Sequence, residues 1–191
     1  MSHPHIFNVD AASGYLTQAR QVASPNFDAR PGDIAPDLIV VHGISLPPND
    51  FGGPAIDQLF TNTLPWEAHP YFKAIEGLKA SSHLLIRRDG ELVQYVSFKQ
   101  RAWHAGVSNY CGRERCNDFS IGIELEGADD IAYEPIQYRM LSAAIGALCN
   151  AYSSLSRERL VGHSDIAPGR KTDPGESFDW GRLRAMMCAL Q

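Results

Sequence analysis

Chemistry in this chain is concentrated where histidines meet carboxylates. The stretch VGHSDIAPGRKTDPG, Val161 to Gly175, holds His163, Asp165 and Asp173 with the cations Arg170 and Lys171, is stiffened by Pro168, Gly169 and Pro174, and shows no helical or strand period. Earlier in the chain, His42 ends the apolar run DLIVVHG, and Glu124 and Glu126 alternate along FSIGIELEG. A catalytic zinc site takes three nitrogen or oxygen ligands from the protein and keeps one position open for water. Two histidines and a carboxylate, brought by strand ends and an adjoining stiff loop, meet that need, and Glu124 or Glu126 can supply a base. Spacing alone does not decide the matter. There is no HExxH pair, a single histidine is more often a surface or hydrogen-bonded residue than a ligand, and a strand glutamate is often simply solvated. The residues thus define a metal hydrolase as one reading and an ordinary polar sheet end as the other.

Period and punctuation mark the elements that must position these groups. DLIVVHG is a continuous β-branched run of the kind buried on both faces, closed by Gly43 and Pro47-Pro48, so His42 falls at the C-terminal end of a central strand. FSIGIELEG alternates strictly, with Ile121, Ile123 and Leu125 on one face and Gly122, Glu124 and Glu126 on the other. That second face is not an apolar layer. In HLLIRRDGELVQYVSF, Asp89-Gly90 predicts a hairpin with a type I′ turn. From Pro135, the residues Ile136, Met140, Leu141, Ala144, Ile145, Leu148 and Tyr152 recur at helical spacing. RERLVGH reads as a short strand ending at His163, and SFDWGRLRAMMCAL as a helix striped by Phe178, Leu183, Met187 and Leu190, with Ser177 as N-cap. A short helix is expected over Ser13–Val22, and two more in PAIDQLFTN and PYFKAIEGL. The fold class is α/β: one domain with a central mixed β-sheet flanked by helices. Strand ends are where such sheets place function.

Composition narrows the partners. With 191 residues and 44% hydrophobic content, the chain suffices for one sizeable core. Its formal charge of −5 comes with scattered lysines and arginines, which excludes the clustered basic face of a nucleic-acid binder. Apolar runs such as Leu38–Val41 are far too short to span a membrane, and MSHPHIFNVD has no secretory pattern, so the chain reads as cytoplasmic. The four cysteines form no CxxC pair, and reduced thiols without metal are expected. The alternative is a disulfide between Cys111 and Cys116, five residues apart.

LIVVHG, SSHLLIRRDGELVQYV, RAWHAG, NDFSIGIELEG and GHSDIAPGRKTDPGESFDW occur in this order and together resemble the zinc-dependent N-acetylmuramoyl-L-alanine amidases of the type 2 family, relatives of phage T7 lysozyme and the peptidoglycan recognition proteins. The resemblance is strongest to the cytosolic branch that recycles muropeptides, and it runs from about Ala35 to the C-terminus. It implies an amidase domain over residues 35–191, with 1–34 as a lead-in packed on it.

Carried onto this sequence, the resemblance makes His42, His163 and Asp173 the zinc ligands. Glu124 becomes the base that takes a proton from water, and Lys171 the cation facing the oxyanion. Asp165 is expected in a loop or outer hydrogen bond. In that branch the residue after the first ligand is often asparagine, whereas here it is Gly43. For substrate, the resemblance implies a muramoyl lactyl group linked through an amide to L-Ala of a stem peptide. Arg115 and Lys79 are expected near the acidic peptide, Trp103 and His104 on the sugar side, and His83 at the cleft floor. The function implied is Zn2+-dependent hydrolysis of anhydro-muropeptides, with no obligate protein partner and an indirect effect on β-lactamase induction. The alternatives are an amidase that also cuts intact wall, and a binding module that cuts nothing.

Overall fold

The structure, a computed structural model, describes residues 7–188; residues 1–6 of the lead-in and Leu190 of the last apolar stripe lie outside them. The chain runs through β1 (Arg20–Gln21), β2 (Phe27–Asp28), β3 (Leu38–Ile44), α1 (Ala55–Phe60), α2 (Pro70–Ala74), β4 (Leu84–Ile86), β5 (Leu92–Gln94) and β6 (Arg101–Ala102). It continues with β7 (Asn109–Tyr110), β8 (Arg113–Glu114), β9 (Ser120–Glu126), α3 (Pro135–Ala151), β10 (Leu160–Gly162), α4 (His163–Ile166) and α5 (Trp180–Cys188).

Six strands form one sheet in the order β1-β5-β4-β9-β3-β10. Only β4 and β5 pair antiparallel; the other neighbours run parallel, so the sheet is mixed, as the pattern of strands and helices predicts. At its centre, β3 and β9 pair along their whole length, from Leu38 opposite Ser120 to Ile44 opposite Glu126. Residues 20–21, ahead of the expected domain start, close one edge of the sheet by pairing with β5.

The alternation in β9 becomes two buried faces. Ile39, Val41, Ile121, Ile123 and Leu125 pack with Leu141, Ala144, Ile145 and Leu148 of α3 and with Leu183 and Met187 of α5 in the main core. Each such side chain contributes about 1.5 to 3 kcal/mol on burial. The opposite face holds Leu38, Val40, Ala105, Cys116, Phe119 and Ile166 near the strand starts. Toward the C-terminal ends, that face changes to His42 and Glu124. Over β4 and β5, Leu46, Ile56, Leu59 and Phe60 of the α1 region pack with Leu85, Val93 and Tyr95 in a separate cluster.

Three local expectations are corrected. No helix forms over Ser13–Val22: Gly14 takes φ 73°, Asp10 accepts from Ser13 N–H, and Gln94 Oε1 accepts from Leu16 N–H at 2.7 Å, so side chains compete successfully with helix formation. The hairpin at Asp89-Gly90 uses a longer loop than a two-residue type I′ turn. Gly90 N–H donates to Arg87 C=O, Arg87 N–H to Glu91 C=O, and Gly90 alone of the two turn residues has positive φ. At the last helix, Asp179 Oδ1 accepts from Arg182 N–H and caps it, while the Ser177 hydroxyl bonds the carbonyls of Ala128 and Ile131. The four cysteines are free thiols. Among the described residues, no helix is long and apolar enough to cross a membrane.

Candidate active site

β3 and β10 are parallel neighbours, with Val41 opposite Gly162. The next residue in each chain is therefore a histidine at the same sheet end. The polar stretch after β10 makes one short helical turn, α4, and returns, with Ser164 N–H donating to Asp173 C=O at 3.0 Å. Gly162 makes this return possible: a Cβ there would lie 2.9 Å from Pro174 Cδ. Asp165 accepts from Gly162 N–H at 2.7 Å, so its carboxylate holds the loop and not a ligand histidine.

The loop brings Asp173 against both histidines. His42 Nδ1 lies 3.0 Å from His163 Nδ1, and Asp173 Oδ2 lies 3.1 Å from the first and 3.0 Å from the second. His42 and His163 are almost wholly buried. Their chemistry fits a cation that all three would hold. His163 Nε2 faces the carbonyl of Ala105, an acceptor only, at 3.2 Å, and the Arg170 Nη2 that also lies 3.5 Å away is committed to the Ala105 and Val107 carbonyls at 2.7 Å, so the ring proton belongs on Nε2 and Nδ1 is a bare lone pair. The Asp173 carboxylate only accepts. One proton on His42 Nδ1 can fill a single edge of the triangle, leaving lone pairs opposed along the others. Burial pushes the pKa of His42 down to about 4, against the opposing pull of Asp173. Burial would raise the pKa of Asp173, but its bonds to His163 and His42 overcome this and hold it well below the usual carboxylate range. A neutral imidazole and an ionised carboxylate are the forms in which such side chains ligate a metal.

Glu124 sits opposite His42 in register on the same face. The two glutamates of β9 have different surroundings. Glu126 accepts from Gly52 N–H at 2.6 Å, Arg88 N–H at 3.2 Å and Arg87 Nη1 at 3.3 Å, so both oxygens are occupied in fastening the loop after β3. Glu124 lines the cleft, and its Oε2 is buried without a partner. Burial first, and then the charge of Asp173, push its pKa well above the ordinary glutamate range, while Lys171 pulls the other way. A carboxylate so raised is suited to general acid–base chemistry.

The cleft has a volume of about 540 Å³. One wall is apolar, with Leu59, Phe60, Tyr71, Ile75 and Leu78, and the other carries Glu124, Lys171 and Asp173. Lys171 is exposed. Trp103 also lines the cleft, and its indole N–H is buried with no acceptor. His104 reaches the cleft too, but both of its ring nitrogens are engaged, Nδ1 with His42 Nε2 at 2.9 Å and Nε2 with Ser120 Oγ at 3.2 Å. His83 does not line the cleft; it is fully buried beneath His104, accepting from Gly122 N–H at 3.0 Å. Arg115 borders a neighbouring cavity of about 490 Å³ with Val107 and Glu114, and Lys79 is exposed beside Leu78 and Ala80 of the cleft wall.

Some contributors are not apparent from the sequence. Tyr133 donates to Pro174 C=O at 2.8 Å, next to Asp173, and occupies the space left by two glycines. A Cβ at Gly43 would come within 2.3 Å of its hydroxyl, and one at Gly127 within 2.2 Å of its ring. Arg170 Nη2 donates to Ala105 and Val107 carbonyls, both at 2.7 Å, tying the segment after β6 to the ligand loop. The signal for Tyr133 was a glycine at the C-terminal end of each of the two site-bearing strands, Gly43 within β3 and Gly127 just after β9.

A mixed sheet whose strand ends and returning loop gather two histidines, an aspartate and an unpaired buried glutamate has the layout of a hydrolase. Residues 32–176 match the Amidase_2 family, described as N-acetylmuramoyl-L-alanine amidase, and the chain belongs to that family and has its enzymatic activity. It is 60% identical over 174 residues to the 1,6-anhydro-N-acetylmuramyl-L-alanine amidase AmpD of Citrobacter freundii, covering 91% of this chain and 92% of the relative. Among solved structures, it superposes on a crystal structure of an AmpD derivative with a TM-score of 0.89 at 60% identity, covering 91% of this chain and 97% of the other. A more distant neighbour is AmpDH3 of Pseudomonas aeruginosa in complex with an anhydromuramic pentapeptide: TM-score 0.57, 30% identity, 79% of this chain and 59% of that one.

Proposed function

We propose that the protein is a zinc-dependent amidase that hydrolyses the bond between the lactyl group of 1,6-anhydro-N-acetylmuramic acid and L-Ala of the stem peptide, in cytoplasmic muropeptide recycling. The observation that carries this reading is the convergence of His42 Nδ1, His163 Nδ1 and Asp173 Oδ2 beside a buried, unpartnered Glu124. The similarity to AmpD supports the anhydro substrate.

His42, His163 and Asp173 would hold the zinc. When bound, zinc supplies a Lewis acid that polarises the amide carbonyl and acidifies a water molecule. Glu124 accepts the water's proton at its free oxygen and later delivers it to the leaving amine of L-Ala. Lys171 directs a cation at charge that develops only as the carbonyl becomes tetrahedral. The apolar wall around Leu59, Tyr71 and Ile75 suits the face of a sugar ring. The unpaired Trp103 N–H suits an acceptor on the sugar or its lactyl arm, since leaving it unmatched costs about 1 to 3 kcal/mol. Arg115 and Lys79 supply cations for the acidic stem peptide. By removing anhydro-muropeptides, the enzyme would lower any β-lactamase induction that responds to them.

Mass spectrometry of the products tests this reading directly. The purified protein is incubated with an anhydro-muropeptide and with its reduced, non-anhydro counterpart, each with and without a chelator. Chelator-sensitive release of free peptide from the anhydro compound is the expected result. Equal cleavage of both substrates would point to an enzyme that also acts on intact wall, and no cleavage by zinc-loaded protein would leave a binding module. His42→Ala or Asp173→Ala is expected to lose zinc and activity together, and full zinc occupancy in either would remove that residue from the ligand set.

A further inference from the structure

Both ligand histidines turn their outer nitrogens toward adjacent residues of one segment, His104 and Ala105. The Ala105 carbonyl fixes the proton on His163 Nε2. The partner of His42 is a third imidazole, which can accept or donate, so the proton there depends on what His104 itself meets. Ser120 provides the answer. Its Oγ lies 2.6 Å from Cys116 O, a separation that requires a hydrogen between the two oxygens, so the single hydroxyl proton is committed to that carbonyl. Toward His104 Nε2, Ser120 Oγ can then only accept, and the His104 proton sits on Nε2. His104 Nδ1 is left as a lone pair that accepts from His42 Nε2–H, which leaves His42 Nδ1 bare toward Asp173 and His163. A doubly protonated His104 is disfavoured because the ring is buried and none of its hydrogen-bond partners is a carboxylate.

We propose that His104 and Ser120 are positioning residues: with the Ala105 carbonyl, they fix the tautomers of both ligand histidines so that each presents its Nδ1 lone pair to the metal. Two further features hold this outer layer in place. Asn117 Oδ1 accepts from the backbone N–H groups of both His104 and Ala105, at 3.1 and 2.8 Å. Gly122 leaves room for the His104 ring, because a Cβ there would lie 2.4 Å from its Cγ. The glycine in the polar face of β9 is thus required by the close approach of an imidazole. This assignment places His104 behind the metal site, orienting a ligand, and not on the sugar. It rests on the zinc-amidase reading.

The test begins with the unaltered protein, loaded with one equivalent of zinc, by nitrogen-15 NMR of its histidine rings. Hydrogen on Nε2 of His42, His104 and His163, with Nδ1 of His42 and His163 bound to metal, is the expected result. Hydrogen on His104 Nδ1 in a protein that binds zinc overturns the proposal and leaves the zinc reading standing. Failure to bind zinc at all overturns both. Variants add a second measurement, the zinc dissociation constant by chelator competition. Ser120→Ala and His104→Leu are expected to weaken zinc about 10- to 100-fold, as losing the outer partner of a ligand does. His104→Gln, whose carbonyl can accept from His42 while its amide donates to Ser120, is expected to retain tight binding. Folded Ser120→Ala and His104→Leu proteins that hold zinc as tightly as the unaltered enzyme would refute the proposal.

Discussion

On the helix-covered face of the central sheet, Ile39, Val41, Ile121, Ile123 and Leu125 meet α3 through apolar contact alone. On the other face, the same two strands present His42, Gly122 and Glu124 to a buried layer of histidines, hydroxyls and carbonyls. Both faces are largely buried. The first is non-directional, so it responds to volume and tolerates swaps that conserve it. The second is a chain of matched donors and acceptors in which one misplaced proton leaves lone pairs opposed. Substitutions on the first face are therefore expected to change stability with chemistry intact. Those on the second change chemistry, and one is expected to increase stability.

That one is Glu124→Gln, and it carries the largest expected effect. Removing the base lowers turnover by about 10²- to 10⁴-fold. In the metal-free protein, burial raises the pKa of Glu124 above its unfolded value near 4.5, so the folded state favours the protonated form. Stability from this proton is present in full below the unfolded pKa and is lost as pH rises through the folded one. The glutamine variant avoids that loss. Melting of chelator-treated protein should show Glu124→Gln more stable than the parent at neutral pH and equal to it in acid; equal melting at both would place the carboxylate in a better solvated site than the structure gives it.

Leu141→Ala probes the opposite face. Leu141 is fully buried in the α3 core, and its truncation is expected to cost about 2 to 5 kcal/mol, read from denaturant melts, with kcat of the folded enzyme unchanged. A lowered kcat would mean that the two faces are coupled. Lys171→Ala makes the converse comparison: an exposed residue of the cleft whose loss leaves melting and zinc content intact but lowers kcat about 10²- to 10³-fold. An unchanged rate would remove it from the mechanism.

The apolar face was the more legible in the sequence. Period two in β9 and the helical stripe after Pro135 follow from packing against one core, so pattern alone assigns Ile121 and Leu141 their places. The polar face was legible as residue types but not as partners. Glu124 and Glu126 are indistinguishable by period; the resemblance picks Glu124, and the approach of Gly52 and the two arginines to Glu126 supplies the physical difference. His83, His104 and Ser120 act through contacts between residues distant in sequence, to which periodicity is blind. The missing helix at Ser13–Val22 has the same origin, since Gln94 of β5 bonds the backbone of Leu16.

Acid sharpens the comparison further, because only the polar face titrates. Burial first, then the nearby Arg30 charge, push the pKa of His83 down to about 3. A histidine whose folded pKa lies below its unfolded value of 6.5 contributes stability that is present above 6.5 and lost as pH falls toward the folded value. Metal-free protein is thus expected to weaken steadily over this range. His83→Gln, which can still accept from Gly122 and donate to Gln100, should flatten that slope without changing turnover. A slope unaffected by the substitution would move the acid response to His42 and its neighbours.

Arg115 has the smallest expected effect and tests where the polar face ends. It stands outside the buried network: its backbone takes φ 59°, its side chain is 71% exposed, and its one ion pair, with Asp118 at 3.2 Å, is of the surface kind worth about 0 to 1 kcal/mol. The guanidinium borders the cavity next to the cleft, with Glu114 and Val107. If that cavity receives the acidic stem peptide, Arg115→Ala raises KM for the muropeptide while kcat and the melting temperature stay fixed, the signature of lost ground-state binding alone. Salt should then reduce the difference between variant and parent, because an exposed cation acts on its ligand through a screened field. An unchanged KM would confine recognition to the cleft and leave Arg115 as a surface charge.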